Sequence, residues 1–525
     1  MSRRWFFANL AIMIAVGGAV LSTRPPRYNL LILTVESWRA DSLRPEVMPN
    51  VLAAARQGRL FTNHRAISAW TIPNIVSLLT GLSPFDQGIH RRGDSLPPDP
   101  ERPLVRLARE GWLVRGLQAF MHVEGFSNLG TVVEDGQELE PWLARRALDR
   151  KPFVLWYHYL GTHLPYAPDP EFRPDWQALL QPSDAAARDR IETVIRQPVI
   201  PAGSVAFQPS DAAAIAALHT GAYRQFDAWF GRLWQFLDDS GLAANTIIVL
   251  TADHADEHLE RGNVGHASTN HAGHLHEELV RVPLVLWLPP GHPDSRAEGV
   301  ETAPTDHLQV MPSLDRLVSG RRDEAGGLLN PDPARPWIAL TSRGGYSDPG
   351  ADDTFIAARI EGHRKRMIRV VDGRLADSSL YDLTADPDER HPLDTQADGM
   401  EPKLVAAVRG MVPPRGPTPV EAGVAVAEAP EWIWPHPGPL SHADLAGRYR
   451  LEWTGREGGH YRIEYQAGEG AMQFSGSMDV DGTVKDFGSI DAAYWRTFIV
   501  PYGVVRTRVG SGGAWSDWLE VRLQP

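Results

Sequence analysis

The stretch Tyr28-Asn-Leu-Leu-Ile-Leu-Thr-Val35 is a continuous run of apolar and β-forming residues, and the acidic Glu36 follows it at once. A run without polar alternation is typical of a strand that is buried on both faces of a parallel sheet. Similar runs recur at residues 112–117, 153–159, 246–251 and 282–288, with helical patterns between them. Because strands that alternate with helices form parallel sheets with crossover helices, the sequence predicts an α/β fold with a mostly parallel central sheet.

Two acidic residues and a histidine are predicted to meet at one edge of this sheet. Glu36 follows the first strand, and Asp253 and His254 follow the strand predicted over residues 245–251. A long helix predicted over residues 210–240 leads directly into that second strand. Since ligands of open parallel sheets bind at the carboxyl ends of the strands, we expect Glu36, Asp253 and His254 to converge there.

A hydroxyl group is the third expected contributor to this site. In the segment over residues 70–81 (WTIPNIVSLLTG), Pro73 suits the first turn of a helix, so Thr71 is predicted near a helix N-terminus. The helix dipole and the free N–H groups at that end favour a phosphate or a developing alkoxide. A threonine hydroxyl needs a metal or a base to become a nucleophile. A divalent cation held by the strand-end side chains would activate Thr71 and polarise a substrate oxygen.

Composition excludes several classes of partner and ligand. The 525 residues carry 65 acidic and 52 basic side chains, and the net charge of -13 gives no electrostatic reason to expect a nucleic acid partner. The chain has no cysteine, so it forms neither disulfides nor a thiolate metal site. Any metal must therefore be bound by His, Asp, Glu or hydroxyl oxygen.

The N-terminal segment over residues 1–27 is predicted to be a signal anchor or a signal peptide. Arg3 and Arg4 precede an uncharged apolar run over residues 5–21, which is about the minimum length that spans a bilayer. A poor small-x-small cleavage pattern favours an uncleaved anchor over a cleaved peptide, and a buried N-terminal helix is the third alternative. We expect a single anchor in the cell membrane with the catalytic domain outside the cytoplasm, or a secreted or periplasmic protein if the segment is cleaved.

Seven segments occur in the order in which similar segments occur in sulfatases. The first contains Glu36, the third begins at Thr71, and later ones include His163-Leu-Pro-Tyr166 and Thr251-Ala-Asp-His254. The full set lies at residues 29–41, 48–63, 71–81, 163–166, 251–254, 277–283 and 380–387. The chain therefore resembles the sulfatase and alkaline phosphatase superfamily over about residues 28–395, and the resemblance implies a metal-dependent hydrolase or transferase.

Three positions depart from the sulfatase pattern. Sulfatases carry a cysteine or serine that matures to formylglycine where this chain has Thr71, and an arginine where it has Ile75. They also carry a second aspartate at the position of Ser37. A formylglycine cannot be made from threonine, and the oxygen-rich calcium site of sulfatases is not expected here.

The candidate metal ligands instead resemble those of another branch of the superfamily. Glu36, Thr71, Asp253 and His254 are similar to the single-metal site of phosphoglycerol and phosphoethanolamine transferases. With one imidazole and otherwise oxygen ligands, this set predicts one Mn²⁺ or Zn²⁺ ion rather than Ca²⁺ or Mg²⁺.

The mechanism implied by this resemblance is attack of the Thr71 oxygen on phosphorus. The resulting phospho-threonine would be resolved by water or by an acceptor alcohol. His163 is the second predicted catalytic residue, and His122, His274 and His276 are predicted to bind substrate. The expected substrate is a phosphorylated small molecule, a lipid head group or an envelope glycan.

Two alternative functions remain open from the sequence. The chain could be a sulfatase-fold binding protein that has lost catalysis, since Ile75, Ser37 and Gln87 stand where relatives often have Arg, Asp and His. It could also be a sulfuric ester hydrolase that works without formylglycine.

The C-terminal part of the chain is predicted to be a separate module. The catalytic domain is assigned to residues 28–412, and residues 413–440 are rich in Pro, Ala and Glu and read as a linker. Residues 441–525 contain short alternating segments separated by Gly-rich turns. This pattern resembles a fibronectin type III or immunoglobulin-like β-sandwich.

Overall fold

The computed structural model describes residues 27–524 apart from several short segments, so the predicted N-terminal anchor and His122 lie outside the described residues. The segments that are not described are 91–93, 118–125, 127, 134–137, 150, 182, 201–202, 267–272, 296–297, 343–353, 394–397, 412–428, 446–448, 456–458, 469–473, 487–494, 496–499, 501–502 and 512–513. Among the described residues, no helix combines the length and the apolar character that crossing a membrane requires.

Eleven strands and eight α-helices precede a second sheet. The strands are β1 Asn29–Val35, β2 Arg59–Arg65, β3 Leu113–Gly116, β4 Val132–Val133, β5 Phe153–Tyr159, β6 Thr246–Ala252, β7 Glu257–His258, β8 Val264–Gly265, β9 Arg281–Trp287, β10 Gly299–Glu301 and β11 Thr305–Asp306. The helices are α1 Pro49–Ala55, α2 Thr71–Thr80, α3 Pro103–Arg109, α4 Leu139–Asp149, α5 Ala187–Arg196, α6 Ala212–Asp239, α7 Glu277–Val280 and α8 His307–Val318. Short 3₁₀ turns lie at Ala40–Ser42, Trp176–Leu179, Pro209–Asp211 and Ala243–Asn245.

Nine of these strands form one central sheet. Its order is β10-β2-β9-β6-β1-β5-β3-β4, with β11 paired to β2. The strands β6, β1, β5, β3 and β4 are parallel, whereas β9 is antiparallel to both β6 and β2. The prediction of a mostly parallel sheet in an α/β fold is confirmed, although the strand predicted over 282–288 runs against its neighbours.

Strand β1 is buried on both faces, as its unbroken apolar sequence predicted. All seven of its residues are buried. Leu30 and Ile32 pack in one core with side chains of α2 and α8, whereas Leu31 and Leu33 pack in a second core with side chains of α1 and α6. The sheet is therefore the middle layer of three, and β1 lies at its centre.

A second, four-stranded antiparallel sheet follows the central sheet. It consists of β12 Trp337–Ser342, β13 Thr354–Glu361, β14 Arg364–Val371 and β15 Arg374–Asp382, and α9 Met400–Gly410 packs on it. Lys365 of β14 is fully buried and pairs with Glu277 at 3.1 Å and with Glu389 at 2.9 Å. Arg65 of β2 pairs with the same Glu277 at 2.8 Å. These ion pairs join the small sheet to the edge of the central sheet.

The C-terminal residues form two further sheets that are largely antiparallel. Their strands are β16 Trp432–Trp434, β17 Gly438–Ser441, β18 Arg450–Trp453, β19 His460–Ala467, β20 Phe474–Asp481, β21 Val484–Asp486, β22 Val504–Ser511, β23 Ala514–Trp515 and β24 Leu519–Gln524, with a 3₁₀ turn at Ala443–Leu445. The observed strands coincide with most of the segments that alternate in sequence. The domain boundaries and the resemblance to a fibronectin type III sandwich stay predictions, because residues 412–428 of the linker are not described.

Candidate active site

The register of two neighbouring strands brings the predicted carboxylates together. Strands β1 and β6 are parallel neighbours, and Val35 lies opposite Ala252. Glu36 and Asp253 are the next residues along each strand, so both leave the sheet at the same edge. The backbone N–H of Ser37 donates to Asp253 Oδ1 at 3.0 Å. Ser37 has a φ of 55°, in the left-handed region that non-glycine residues seldom adopt, so the first turn after β1 is held in an unfavourable conformation at this site.

Thr71 lies against these groups. It is the first residue of α2, and its Oγ1 is 3.2 Å from Glu36 Oε1 and 3.3 Å from His254 Nε2. The exposed fraction of this residue is 7%, so Thr71 is largely buried. We refer to the four residues that meet here as the strand-end cluster: Glu36, Thr71, Asp253 and His254.

The turn before α2 fixes the position of Thr71. The fully buried Asn74 accepts hydrogen bonds at Oδ1 from the backbone N–H groups of Ile67 and Ser68, at 2.9 and 3.0 Å. Its amide also donates to the carbonyls of Ser68 and Trp70. One side chain thus satisfies four backbone groups of the incoming loop, which holds the helix start rigidly next to the sheet.

A histidine that the sequence analysis missed supports Glu36. His158 lies on β5, in register with Thr34 of β1, and its Nε2 is 2.9 Å from Glu36 Oε2. Its Nδ1 is 2.7 Å from Thr34 Oγ1. Burial by itself raises the pKa of Glu36, but hydrogen bonds and charge from His158 and His254 outweigh burial and hold that pKa well below its usual range. Glu36 is therefore an ionised carboxylate inside the protein.

The same cluster favours a bound cation. Burial lowers the pKa of His254, but the charges and hydrogen bonds of Asp253 and Glu36 outweigh it and raise that pKa well above its usual value. Asp253 Oδ2 is fully buried and lies 3.1 Å from His254 Nε2. Two carboxylates, an imidazole and a hydroxyl that face one point are a fitting ligand set for a divalent metal ion.

A second imidazole faces the strand-end cluster. The ring of His266 lies 4.1 Å from that of His254 and 5.3 Å from that of His163, measured between centroids. Its Nδ1 is 2.7 Å from Asp256 Oδ1, and Tyr166 donates to Asp256 Oδ2 at 2.6 Å. The carboxylate orients the imidazole, and the tyrosine orients the carboxylate. Sequence patterns placed His266 among six histidines of a presumed loop and gave no reason to select it.

Behind Asp256 lies a set of rings that we call the aromatic stack: the buried Tyr166, His219 and Tyr223 and the partly buried His258. His219 is stacked between Tyr166 and Tyr223, with centroids 4.0 and 4.2 Å away. Its Nδ1 lies 2.8 Å from His258 Nε2. Burial lowers the pKa of His219 to about 4, so this imidazole is neutral near neutral pH.

The other predicted site residues are distributed differently. His163 comes close enough to Glu36 and His266 for one ligand atom of each to lie within 4.8 Å of the others. His274 and His276 instead lie together in a second cluster, and their described contacts involve Glu257 and Tyr381 rather than Thr71 or Glu36. Their predicted role in substrate binding stays a prediction.

Comparisons with known proteins indicate the class of protein to which this chain is similar. The sulfatase family model matches residues 136–320. The multifunctional alkaline phosphatase superfamily protein PehA of Trinickia caryophylli is 23% identical over 398 residues, covering 57% of this chain and 75% of the relative. The low-salt glycan biosynthesis sulfotransferase Agl7 of Haloferax volcanii is 25% identical over 275 residues, covering 51% of this chain and 58% of the relative.

The fold is also that of a solved enzyme. The crystal structure of the phosphonate monoester hydrolase of Agrobacterium radiobacter matches with a TM-score of 0.53 and 20% identity, over 73% of this chain and 95% of that one. The family model and these relatives support a resemblance to the sulfatase and alkaline phosphatase superfamily, whose members are metal-dependent enzymes. Within that superfamily it is similar to hydrolases and to a sulfotransferase. The superfamily resemblance seen in the sequence is thereby confirmed.

Proposed function

We propose that this protein is a hydrolase or phospho-group transferase that acts on phosphate esters with Thr71 as its nucleophile. The observation that carries the proposal is the position of Thr71 Oγ1, which lies within 3.4 Å of both carboxylate oxygens of Glu36 and 3.3 Å from His254 Nε2. A hydroxyl in this place, at the first residue of a ten-residue helix, is positioned for in-line attack on an anionic ester.

A divalent ion, Mn²⁺ or Zn²⁺, would be held by the strand-end cluster. When bound, it would supply positive charge that lowers the pKa of the Thr71 hydroxyl and neutralises charge on the ester. Glu36 is ionised and supported by His158 at 2.9 Å, so this carboxylate is ready to serve as a ligand. The exact ion and its number of protein ligands belong to the proposal.

The reaction requires two exchanges at phosphorus. In the first, Thr71 gives up its hydroxyl proton to solvent, the bond from Thr71 Oγ1 to phosphorus forms and the bond to the leaving oxygen breaks, so the departing alkoxide needs a proton. His266, whose Nδ1 is directed at Asp256, and His163 beside it present imidazoles that can supply one. In the second, water or an acceptor alcohol attacks phosphorus and gives its proton to that imidazole, and the Thr71 oxygen leaves and takes up a proton from solvent.

The names of the similar proteins support ester substrates of phosphorus. One is called a multifunctional member of the alkaline phosphatase superfamily and another a phosphonate monoester hydrolase. Thr71 also supports this chemistry, because a side chain that cannot become formylglycine is suited to direct attack rather than to attack by a hydrated aldehyde. We therefore rank phosphodiesters and phosphonate or phosphate monoesters above sulfate esters.

The location and natural substrate of the enzyme are part of the same proposal. The apolar run over residues 5–21 supports a membrane anchor or an export signal, with the catalytic domain outside the cytoplasm. A phosphorylated small molecule, a lipid head group or an envelope glycan would be accessible there.

A sulfate ester is the second candidate substrate. The sulfatase family model and the relative named as a sulfotransferase favour it. The two candidates share the anion-binding site and differ in the atom that is attacked.

Substrate panels separate these candidates. Aryl phosphodiester, phosphonate monoester, phosphomonoester and sulfate ester substrates are tested with the full chain, loaded in turn with Mn²⁺ and Zn²⁺. Phosphorus esters are expected to turn over, and intact-mass measurement with a slow substrate is expected to show a phosphoryl adduct at Thr71. Turnover of the sulfate ester alone would select the second candidate. No turnover of any ester by metal-loaded protein would favour a binding protein without catalysis.

A further inference from the structure

His274, His276 and Glu278 form a cluster apart from the strand-end cluster. His274 and His276 precede α7, and Glu278 lies in its first turn. One ligand atom from each of the three residues lies within 4.8 Å of the others. The two imidazole rings are 4.8 Å apart, so their nitrogens can reach a common point.

His276 is the unusual member of this cluster. Both of its ring nitrogens are inaccessible to solvent and have no hydrogen-bond partner among the described residues. A buried imidazole without a partner costs free energy, and an ion or a water between the rings is the usual reason for one. An imidazole nitrogen that carries no proton has a lone pair that can bind an ion.

His274 is held in the way that metal-binding histidines are commonly held. Its Nε2 lies 2.9 Å from Oε2 of Glu257, which is 1% exposed. A carboxylate that accepts the proton of one ring nitrogen leaves the other nitrogen unprotonated. That other nitrogen, Nδ1, faces His276, whose backbone N–H reaches it over a long 3.3 Å.

Two of the basic side chains near the cluster are paired with carboxylates. Lys365 is paired with Glu277 and Glu389. Arg261 is paired with Glu278 through Oε1 at 2.7 Å, which leaves the second carboxylate oxygen, Oε2, as a donor. Arg390, the third basic side chain that acts on His276, donates to the carbonyl of Glu260 at 3.1 Å.

We propose that His274, His276 and Glu278 bind a second divalent transition-metal ion of the zinc type. Two imidazole nitrogens and one carboxylate oxygen are the donor set of three-ligand zinc sites. The site does not depend on the proposed function, because it shares no ligand with the strand-end cluster. An ion here would fix the segment before α7 against β15, where His276 meets Tyr381 with ring centroids 5.8 Å apart.

Zinc stoichiometry of the purified full chain tests this assignment. After removal of all metal and titration with Zn²⁺, the wild-type chain is expected to bind two ions. His276→Gln is expected to bind one, and His254→Ala is expected to keep the ion at His276. His391→Gln is the matched control, because the side chain of His391 is 89% exposed.

Cobalt substitution gives an independent measurement. In the His254→Ala background, Co²⁺ bound at the proposed site is expected to give visible absorption bands, and adding His276→Gln is expected to abolish them. Unchanged stoichiometry and unchanged bands in His276→Gln would overturn the proposal. If that variant does not fold, as judged by circular dichroism, Glu278→Gln is measured in its place with the same two outcomes. Because the readouts are metal content and absorption, they are separate from any failure of ester turnover.

Discussion

The strand-end cluster and the aromatic stack lie on either side of Asp256, and they hold buried histidines in opposite charge states. His254 in the first has a pKa raised well above its usual value, and His258, four residues along the chain, has a pKa lowered well below it. His254 is fully buried, whereas His258 is partly buried against the other rings of the stack. The difference shows that burial lowers the pKa of an imidazole unless carboxylates face it directly.

The geometry explains this contrast. His254 Nε2 has Asp253 Oδ2 at 3.1 Å and Glu36 Oε1 at 3.3 Å. His258 instead meets another neutral imidazole, His219, at 2.8 Å. The strand-end cluster thus concentrates negative charge and is suited to hold a cation, whereas burial and the charge of Arg39 keep the imidazoles of the aromatic stack neutral. Substitutions in the strand-end cluster, in the aromatic stack or in their supporting residues test this contrast.

Removing the Thr71 hydroxyl is expected to have the largest effect. Thr71→Ala should lower kcat/KM for the best phosphate ester by about 10³-fold or more, since the variant lacks the hydroxyl that attacks phosphorus. Steady-state kinetics with the metal-loaded enzyme measures it. Thr80→Ala, at the other end of the same helix, is the control and should stay close to wild type. A Thr71→Ala enzyme with more than a tenth of wild-type activity would contradict the assignment of the nucleophile.

The charge state of the aromatic stack should appear in the pH dependence of stability. The pKa of His219 is lowered from 6.5 to about 4, so the unfolded chain binds more protons than the folded chain between these values. The contribution of His219 to the free energy of unfolding is therefore fully present above about pH 6.5. It falls as the pH falls toward 4, by up to about 3 kcal/mol. Chemical denaturation at several pH values should show this loss, and His219→Phe should flatten it. If the free energy of unfolding changes with pH equally in wild type and in the variant, His219 is already charged in the folded protein.

His158 is expected to affect metal affinity rather than the nucleophile itself. Its Nε2 supports Glu36 Oε2 at 2.9 Å without belonging to the strand-end cluster. His158→Gln should weaken binding of Mn²⁺ or Zn²⁺ at that cluster by about 10–100-fold, as removal of such supporting partners commonly does. Isothermal titration calorimetry measures the affinity. His292→Gln is the control, because that buried histidine interacts with the carbonyl of Leu317, at 3.0 Å; equal losses in both variants would mean a general loss of structure.

The smallest expected effect concerns Asp256, which lies between the strand-end cluster and the aromatic stack. Tyr166→Phe removes the hydroxyl that donates to Asp256 Oδ2 at 2.6 Å. We expect the free energy of unfolding to fall by about 1–2 kcal/mol, because a buried carboxylate loses one hydrogen bond. Thermal and denaturant unfolding measure this change. Tyr159→Phe is the matched control, since the Tyr159 hydroxyl has no hydrogen bond among the described residues, and an equal loss there would assign the effect to packing.

Much of the candidate site could be predicted because it depends on the ends of elements. The positions of Glu36 and Asp253 follow from two apolar runs that end immediately before them. Thr71 follows from a helix pattern that starts at the Trp70-Thr-Ile-Pro segment. These signals are local. Because parallel strands present their carboxyl ends at one edge of the sheet, the residues that follow them are predicted to lie close together.

The supporting residues could not be found in this way. His158 looks like an interruption in an apolar strand until β5 is known to lie beside β1, in register with Thr34. His266 and Asp256 are separated by ten residues and meet only through the hairpin of β7 and β8. The antiparallel direction of β9 was missed for the same reason, since an apolar run carries no information about the direction of its neighbour.

The sequence by itself determined the α/β fold, the superfamily resemblance and the candidate members of the strand-end cluster, because hydrophobic periodicity and the ends of strands and helices are encoded by neighbouring residues. The tertiary structure alone decided which side chains stand behind that cluster and which buried histidines are charged. A pKa inside a protein depends on distances of a few ångströms between residues that are far apart in the chain, and those distances are set by packing of the whole domain.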